Sequence, residues 1–236
     1  TLTSLGNMTV EELDAATTIT ASCGGTFQNT AAVDADAGAV TIQSVGTTTT
    51  DGTVAGNSVN IESTTADLDI NNTVDSDVAG VTLIAATNVD TANTVTAATD
   101  LTIDADGTVT SADLLTGGDN VSITAGGAVA VDDITATAGD VNVSTTGAFT
   151  NAALVQALAG NVNISADTGI TTTGAVDAET ALTMLSAGTI QTIGTIEGAT
   201  VNMESTGADL NIDNTINATT GGVTLVAETD IDTAAA

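Results

Sequence analysis

Lysine, arginine and histidine are absent from this 236-residue chain, as are proline, tryptophan and tyrosine; it holds one cysteine and two phenylalanines. Each absence removes a class of function. Nucleic-acid binding relies on Lys and Arg to neutralise phosphates, so it is not expected here. Basic segments that attract a protein to anionic membrane surfaces are missing for the same reason. No apolar run approaches the roughly 20 residues of a spanning helix, so no membrane insertion is expected. Without His there is no catalytic triad, and without Lys or Arg no cation to hold an oxyanion or a sugar carboxylate. Acid–base chemistry would rest on carboxylates alone. The chain therefore reads as a non-enzyme, with a carbohydrate-active β-helix that uses clustered Asp as a remote alternative. Cys23, the only cysteine, cannot form an internal disulfide. With no basic neighbour to activate it, it reads as a small packed residue, an interchain disulfide being the other reading.

What the chain does have is 30 acidic residues, a formal charge of −30, and 42% hydrophobic residues. Highly charged chains poor in aromatics are often disordered. Here, however, Val, Ile, Leu and Ala recur at fixed spacing, which implies order. Residues 101–196 show this best, as LTIDADGTV, VSITAGGAV, VNVSTTGAF, VNISADTGI and LTMLSAGTI follow one another. Their anchors Leu101, Val121, Val141, Val162 and Leu182 are 20, 20, 21 and 20 residues apart. With each anchor as position 0, apolar residues return at positions 2, 8 and about 14: Ile164, Ile170 and Val176 in one coil, Met184, Ile190 and Ile196 in the next. A period near twenty marks a solenoid whose units are too small to bury an apolar face alone.

The register starts at Ile19 and runs through Val40, Val59 and Val81, then, after Leu182, through Val201 and Val223. Alternation at positions 0 and 2, with Thr, Asn or Ser between, is the period of a strand buried on one side. Gly, Asn or Asp before many anchors (Gly80, Asp100, Asn120, Asp140, Asn161, Gly222) supplies the corners. The expected fold is all-β: a single right-handed parallel β-helix, or β-solenoid, of about ten coils of 19–22 residues with three faces. Residues 19–236 form it. Residues 1–18 form an N-terminal cap or an irregular leading coil, the capping-box spacing of Thr9–Val10–Glu11–Glu12 suggesting one helical turn.

A longer repeat is superimposed. Residues 52–92 align without gaps to 194–234, with 23 of 41 positions identical and an offset of 142. The irregular coil with its extra inward pair Leu68 and Ile70 recurs as Leu210 and Ile212. The chain opens without Met and stops just short of a full coil, as expected of a processed chain, a segment of a longer repeat array, or an end covered by another molecule.

The acids are the candidate ligands. Asp34/Asp36, Asp67/Asp69, Asp104/Asp106 and Asp230/Asp232 are i,i+2 pairs whose carboxylates point the same way if the chain is extended. Hard oxygen donors suit Ca²⁺, bound weakly at an acidic surface, and no other cofactor is expected. The alternative is a solvated acidic face. Acids at position 3 (Glu62, Asp104, Glu204) and position 5 (Asp106, Asp167, Glu228) fall on non-adjacent coils, which keeps like charges from stacking; Asp113 and Asp133 alone fall on neighbours. The outward column three residues past the anchors is too mixed for the regular Thr ranks of an ice-binding face. Asn-x-Ser/Thr sequons occur at Asn7, Asn71, Asn120, Asn142, Asn163 and Asn217, the fourth and fifth inside the strand pattern.

GNVNISADTGI, GGVTLVAETDI and GGDNVSITAGGAV resemble the coil repeats of filamentous-haemagglutinin-type exoproteins, the large adhesins of two-partner secretion. The resemblance spans residues 19–231. It implies a right-handed parallel β-helix on a bacterial surface, hence an extracellular or cell-surface location. The expected function is structural: a building block or repeat segment of an extracellular filament or surface fibre, assembled by end-to-end stacking. Its expected partner is itself, as a head-to-tail homopolymer, or the continuation of a longer array. The stalk of a cell-surface adhesin is the alternative.

Overall fold

The computed structural model describes residues 1–234. Every regular element among them is a β-strand and the strands pair in parallel, making a right-handed β-solenoid of about twelve turns. The chain divides into two compact units, Thr1–Gly118 and Asp119–Ala236.

A turn is three short strands on three faces. In the first unit one complete turn is Val81–Ala85, Val89–Thr91 and Val95–Ala97. Val81, Leu83 and Ala85 point inward and are buried, while Thr82 and Ile84 between them point out. This is the two-residue side-chain period of a pleated strand. In the second unit Val162–Ala166 and Gly169–Thr172 are followed by Val176–Ser186, in which a third-face strand runs through the corner into the next first-face strand. Val33–Ser44, Val54–Ser63 and Ile196–Ser205 merge two faces in the same way.

The anchors stand in file within each unit. Val40 pairs with Val59, Val59 with Val81 and Val81 with Leu101. In the second unit the file is Val121, Val141, Val162, Leu182, Val201 and Val223. A single turn offers only a few apolar side chains, so burial is achieved between turns. Each Val, Leu or Ile so covered contributes on the order of 1.5–3 kcal/mol. Phe27 and Phe149 are the largest buried side chains. Phe27 lies between Met8 and Thr48 in the first unit, and Phe149 between Val129 and Ile170 in the second.

Two buried asparagines stand at corners and donate to backbone oxygens there. Asn29 Nδ2 donates to the carbonyl oxygens of Ala31 and Gly52 at 2.8 and 3.2 Å, and Asn151 Nδ2 to that of Ala153 at 2.7 Å. The corners are tight. A Cβ placed on Gly174 would overlap the Ala153 carbonyl, and one on Gly52 the Ala31 carbonyl. Only glycine permits such an approach of two backbones.

The turn count exceeds the ten expected for two reasons: the register from Ile19 to Val223 itself holds eleven anchors, and residues 1–18 form a further turn. Leu2–Ser4, Met8–Val10 and Leu13–Ala15 pair with Ile19–Cys23, Phe27–Asn29 and Val33–Ser44. No helical turn forms at Thr9–Glu12. Met8 and Val10 are buried on alternate positions of a strand, and this burial outweighs the local capping-box preference.

Candidate functional site

The acids lie on the outside, and the structure separates the four i,i+2 pairs into different roles. Asp34 and Asp36 both face outward on the extended segment Val33–Ser44, with Asp34 opposite Asp14. Asp67 is not a free surface ligand. Its Oδ1 accepts from Thr87 Oγ1, from the Asn88 backbone N–H at 3.1 Å and from Asn88 Nδ2 at 2.9 Å, which closes the corner before Leu68–Ile70. The Thr87 bond leads in holding its pKa below the usual carboxylate value. Asp69, two residues on, points out from the middle of that strand. Asp104 ends the outward row of Leu101–Ala105, and Asp106 follows in the turn. Both line a shallow pocket of about 160 Å³ with Glu62. There the register places Ile84 between Glu62 and Asp104, so carboxylates sit at its two ends and not together. The Asp230 backbone N–H donates to Asp209 Oδ1 at 3.3 Å, and Asp232 faces outward opposite Asn211. Among the described residues no three acids converge in a geometry that would hold a metal ion.

Like charges do stack, contrary to the expectation drawn from positions 3 and 5. Asp69 is the direct register partner of Asp90, Asp14 of Asp34, and Asp177 of Glu197. For Asp69 and Asp90 the reason is a shift of phase. The coil beginning at Val59 has an extra residue before Leu68, so Asp69 and Asp90 fall at different counts from their anchors yet side by side in the sheet. Burial first, then Asp67, Asp90 and Asp51, push the Asp69 pKa up against a hydrogen bond from Thr49. Burial, then Glu197 and Glu179, do the same to Asp177. Asp51 goes the other way, held low by the carboxamides of Asn71 and then Gln28, at 2.9 and 2.6 Å. A pocket of about 280 Å³ beside the first rung is lined by Asp69, Asn71, Asp90 and Thr110.

A groove of about 310 Å³ lies in the second unit over the strands Val121–Ala125, Val141–Thr145, Val162–Ala166 and Val176–Ser186. It has no acid in its lining. Its outward ranks are Ser122, Asn142, Asn163 and Thr183 beside Thr124, Ser144, Ser165 and Leu185. Asn163 Nδ2 donates to Asn142 Oδ1 at 2.9 Å, so these two sequon asparagines form a ladder. Sequon residues Asn71 and Asn217 also bond to the adjacent turn, through Asp51 and Glu197. Cys23 is buried, with Sγ 3.6 Å from the Gly25 carbonyl oxygen, and burial raises its pKa. These are the properties of a packed residue and not of a reactive thiol. No family model, curated protein or solved structure matches this chain.

Proposed function

We propose that this chain is a non-enzymatic structural module of an extracellular filament or surface fibre, lengthened by stacking solenoid turns end to end. One observation carries the reading. Within the chain one turn roofs the next in register, Val81 on Leu101, Leu83 on Ile103 and Val89 on Val109, and all six side chains are fully buried. Adding turns by parallel strand pairing in this way satisfies backbone groups and apolar rows together. The −30 charge keeps such fibres soluble and opposes side-by-side association. A chain without Lys or Arg also offers no cleavage site to trypsin-like proteases outside a cell.

The adhesin stalk is the second reading, favoured by the copied block: the 142-residue offset spans seven coils, and adding whole coils lengthens a rod without altering its faces. Negative-stain microscopy of the purified chain at micromolar concentration separates the two. The homopolymer gives filaments that Leu225→Asp abolishes while the β-sheet circular dichroism is kept. Wild-type chains that stay monomeric sink the homopolymer and leave the stalk.

A further inference from the structure

Of the three rungs that put acid directly on acid, Asp69–Asp90 and Asp177–Glu197 hold a carboxyl whose pKa is raised, and the chain has no Lys, Arg or His to separate them. In the first unit Asp69 lies between Thr49 and Asp90 in register, with Asp51 on the preceding turn and Asp67 on its own. In the second, Asp177 lies between Gln156 and Glu197, with Glu179 further along its strand. Glu197 in turn faces Asn217, whose Nδ2 donates to Glu197 Oε1 at 3.2 Å. Directly opposed like charges destabilise a sheet, and unfolding would separate them. We propose that the Asp69–Asp90 and Asp177–Glu197 rungs form a proton-operated clasp that tightens the solenoid as its surroundings acidify from neutral pH. One proton shared on each rung replaces a repulsion with a carboxyl–carboxylate hydrogen bond between adjacent turns.

The sign follows from linkage. Asp69 and Asp177 are raised in the folded chain, so the fold binds their protons more readily than the unfolded chain does. Their contribution grows as pH falls through the raised values and is complete below the ordinary carboxylate value of 3.8. Asp75, raised by burial and then by Asp77, has the same sign, although Ala55 and Thr96 face it in register. Asp51 and Asp67 have the opposite sign, but being lowered they lose their contribution only below 3.8. Between neutrality and that value the two rungs and Asp75 therefore set the slope. The repeat supplies an internal comparison, since Asn211 and Asp232 stand where Asp69 and Asp90 stand and leave that one rung of the second block with a single acid.

The test is the urea midpoint of the full chain from pH 8 to pH 5, followed by circular dichroism. The wild type is compared with Asp69→Asn/Glu197→Gln and with Asp167→Asn/Glu228→Gln, a control that removes two exposed acids outside the strands. The wild-type midpoint is expected to rise toward pH 5. The rung variant should start about 0.2–0.5 M higher at pH 8 and rise less steeply than the wild type, the buried Asp177 and Asp75 retaining part of the slope, while the control keeps the wild-type slope. A wild-type midpoint that falls, or a control that flattens as much as the rung variant, overturns the clasp. The single variant Glu197→Gln decides the matter on the second rung alone if the double variant is too altered to compare.

Discussion

Ser63 donates to the Gly46 carbonyl oxygen at 2.9 Å, and 142 residues further on Ser205 donates to the Gly188 carbonyl oxygen at 2.9 Å. Both hydroxyls are fully buried, in columns that elsewhere hold Ala85 and Ala105 in the first unit and Ala125 and Ala166 in the second. Alanine therefore fits, and its introduction removes a hydrogen bond without leaving a large void. The two carbonyls differ in their remaining partners. Gly46 also accepts from Ser44 Oγ, whereas Ser186 Oγ accepts from the Gly188 N–H and leaves that carbonyl to Ser205.

Ser205→Ala should consequently cost about 1 kcal/mol, the loss expected when a buried acceptor is left unpaired, and Ser63→Ala about half of that or less. Urea unfolding of the two single variants at neutral pH measures the difference. Equal losses would mean that the second donor on Gly46 carries no weight.

Gly174 should resist substitution. A side-chain carbon there meets the Ala153 carbonyl of the preceding turn, which is held by the Asn151 carboxamide at 2.7 Å while the Ala153 N–H is tied to the Asp132 carbonyl at 3.2 Å. Gly174→Ala is expected to lower stability by about 1–3 kcal/mol, as overpacking does. At Gly6 no atom lies within 4 Å of the same position, and Gly6→Ala should change stability by less than about 0.5 kcal/mol. Thermal unfolding of the pair separates steric cost from the general effect of replacing glycine.

Most of the fold was legible because a solenoid writes its geometry as a period. Val121, Val141 and Val162 occupy one file for the reason that made them recognisable, since each must roof the apolar row below it. The leading turn was harder to read. It is one residue shorter between its first and third faces, Leu2 to Leu13 against Ala21 to Val33, and Glu11 and Glu12 imitate a helix start. The acid rungs were half legible. Asp177 and Glu197 both lie fifteen residues past their anchors Val162 and Leu182, so their stacking follows from spacing. Asp69 and Asp90 lie ten and nine residues past Val59 and Val81, and only the hydrogen-bond register reveals that an irregular turn brings them together.

Phe149 tests how far one turn depends on the next. It is fully buried between Val129 and Ile170, where its ring fills a file otherwise built of aliphatic side chains. Phe149→Ala leaves a cavity that two flanking backbones, fixed at strand spacing, cannot close, and should cost about 3–5 kcal/mol. Phe149→Leu keeps most of the volume and should cost clearly less. If hydrogen exchange in the alanine variant rises only at residues 148–151 and not in the neighbouring strands Val129–Val131 and Gly169–Thr172, turns do not share stability in the way stacked repeats require.

Asp67 is the acid whose loss should hurt. Its carboxylate gathers the Thr87 hydroxyl and both the backbone N–H and the carboxamide of Asn88, tying one corner to the next turn. These bonds favour the charged form and lower its pKa in the folded state, so by linkage Asp67 stabilises the fold above 3.8 and ceases to do so as pH falls through its lowered value. Asp67→Ala is therefore expected to destabilise the chain at pH 7 by about 0.5–1.5 kcal/mol, toward the lower figure because solvent reaches the carboxylate. The penalty should shrink below pH 3.8, where the wild-type group also becomes neutral. The variant at Asp69 should show the opposite behaviour, a gain at pH 7 that fades on acidification, although the two residues are neighbours on one strand and its corner. Urea midpoints of the Asp67→Ala and Asp69→Asn variants at pH 7 test this, and two shifts of the same sign would mean that net charge, and not hydrogen-bond register, governs how this surface contributes to stability.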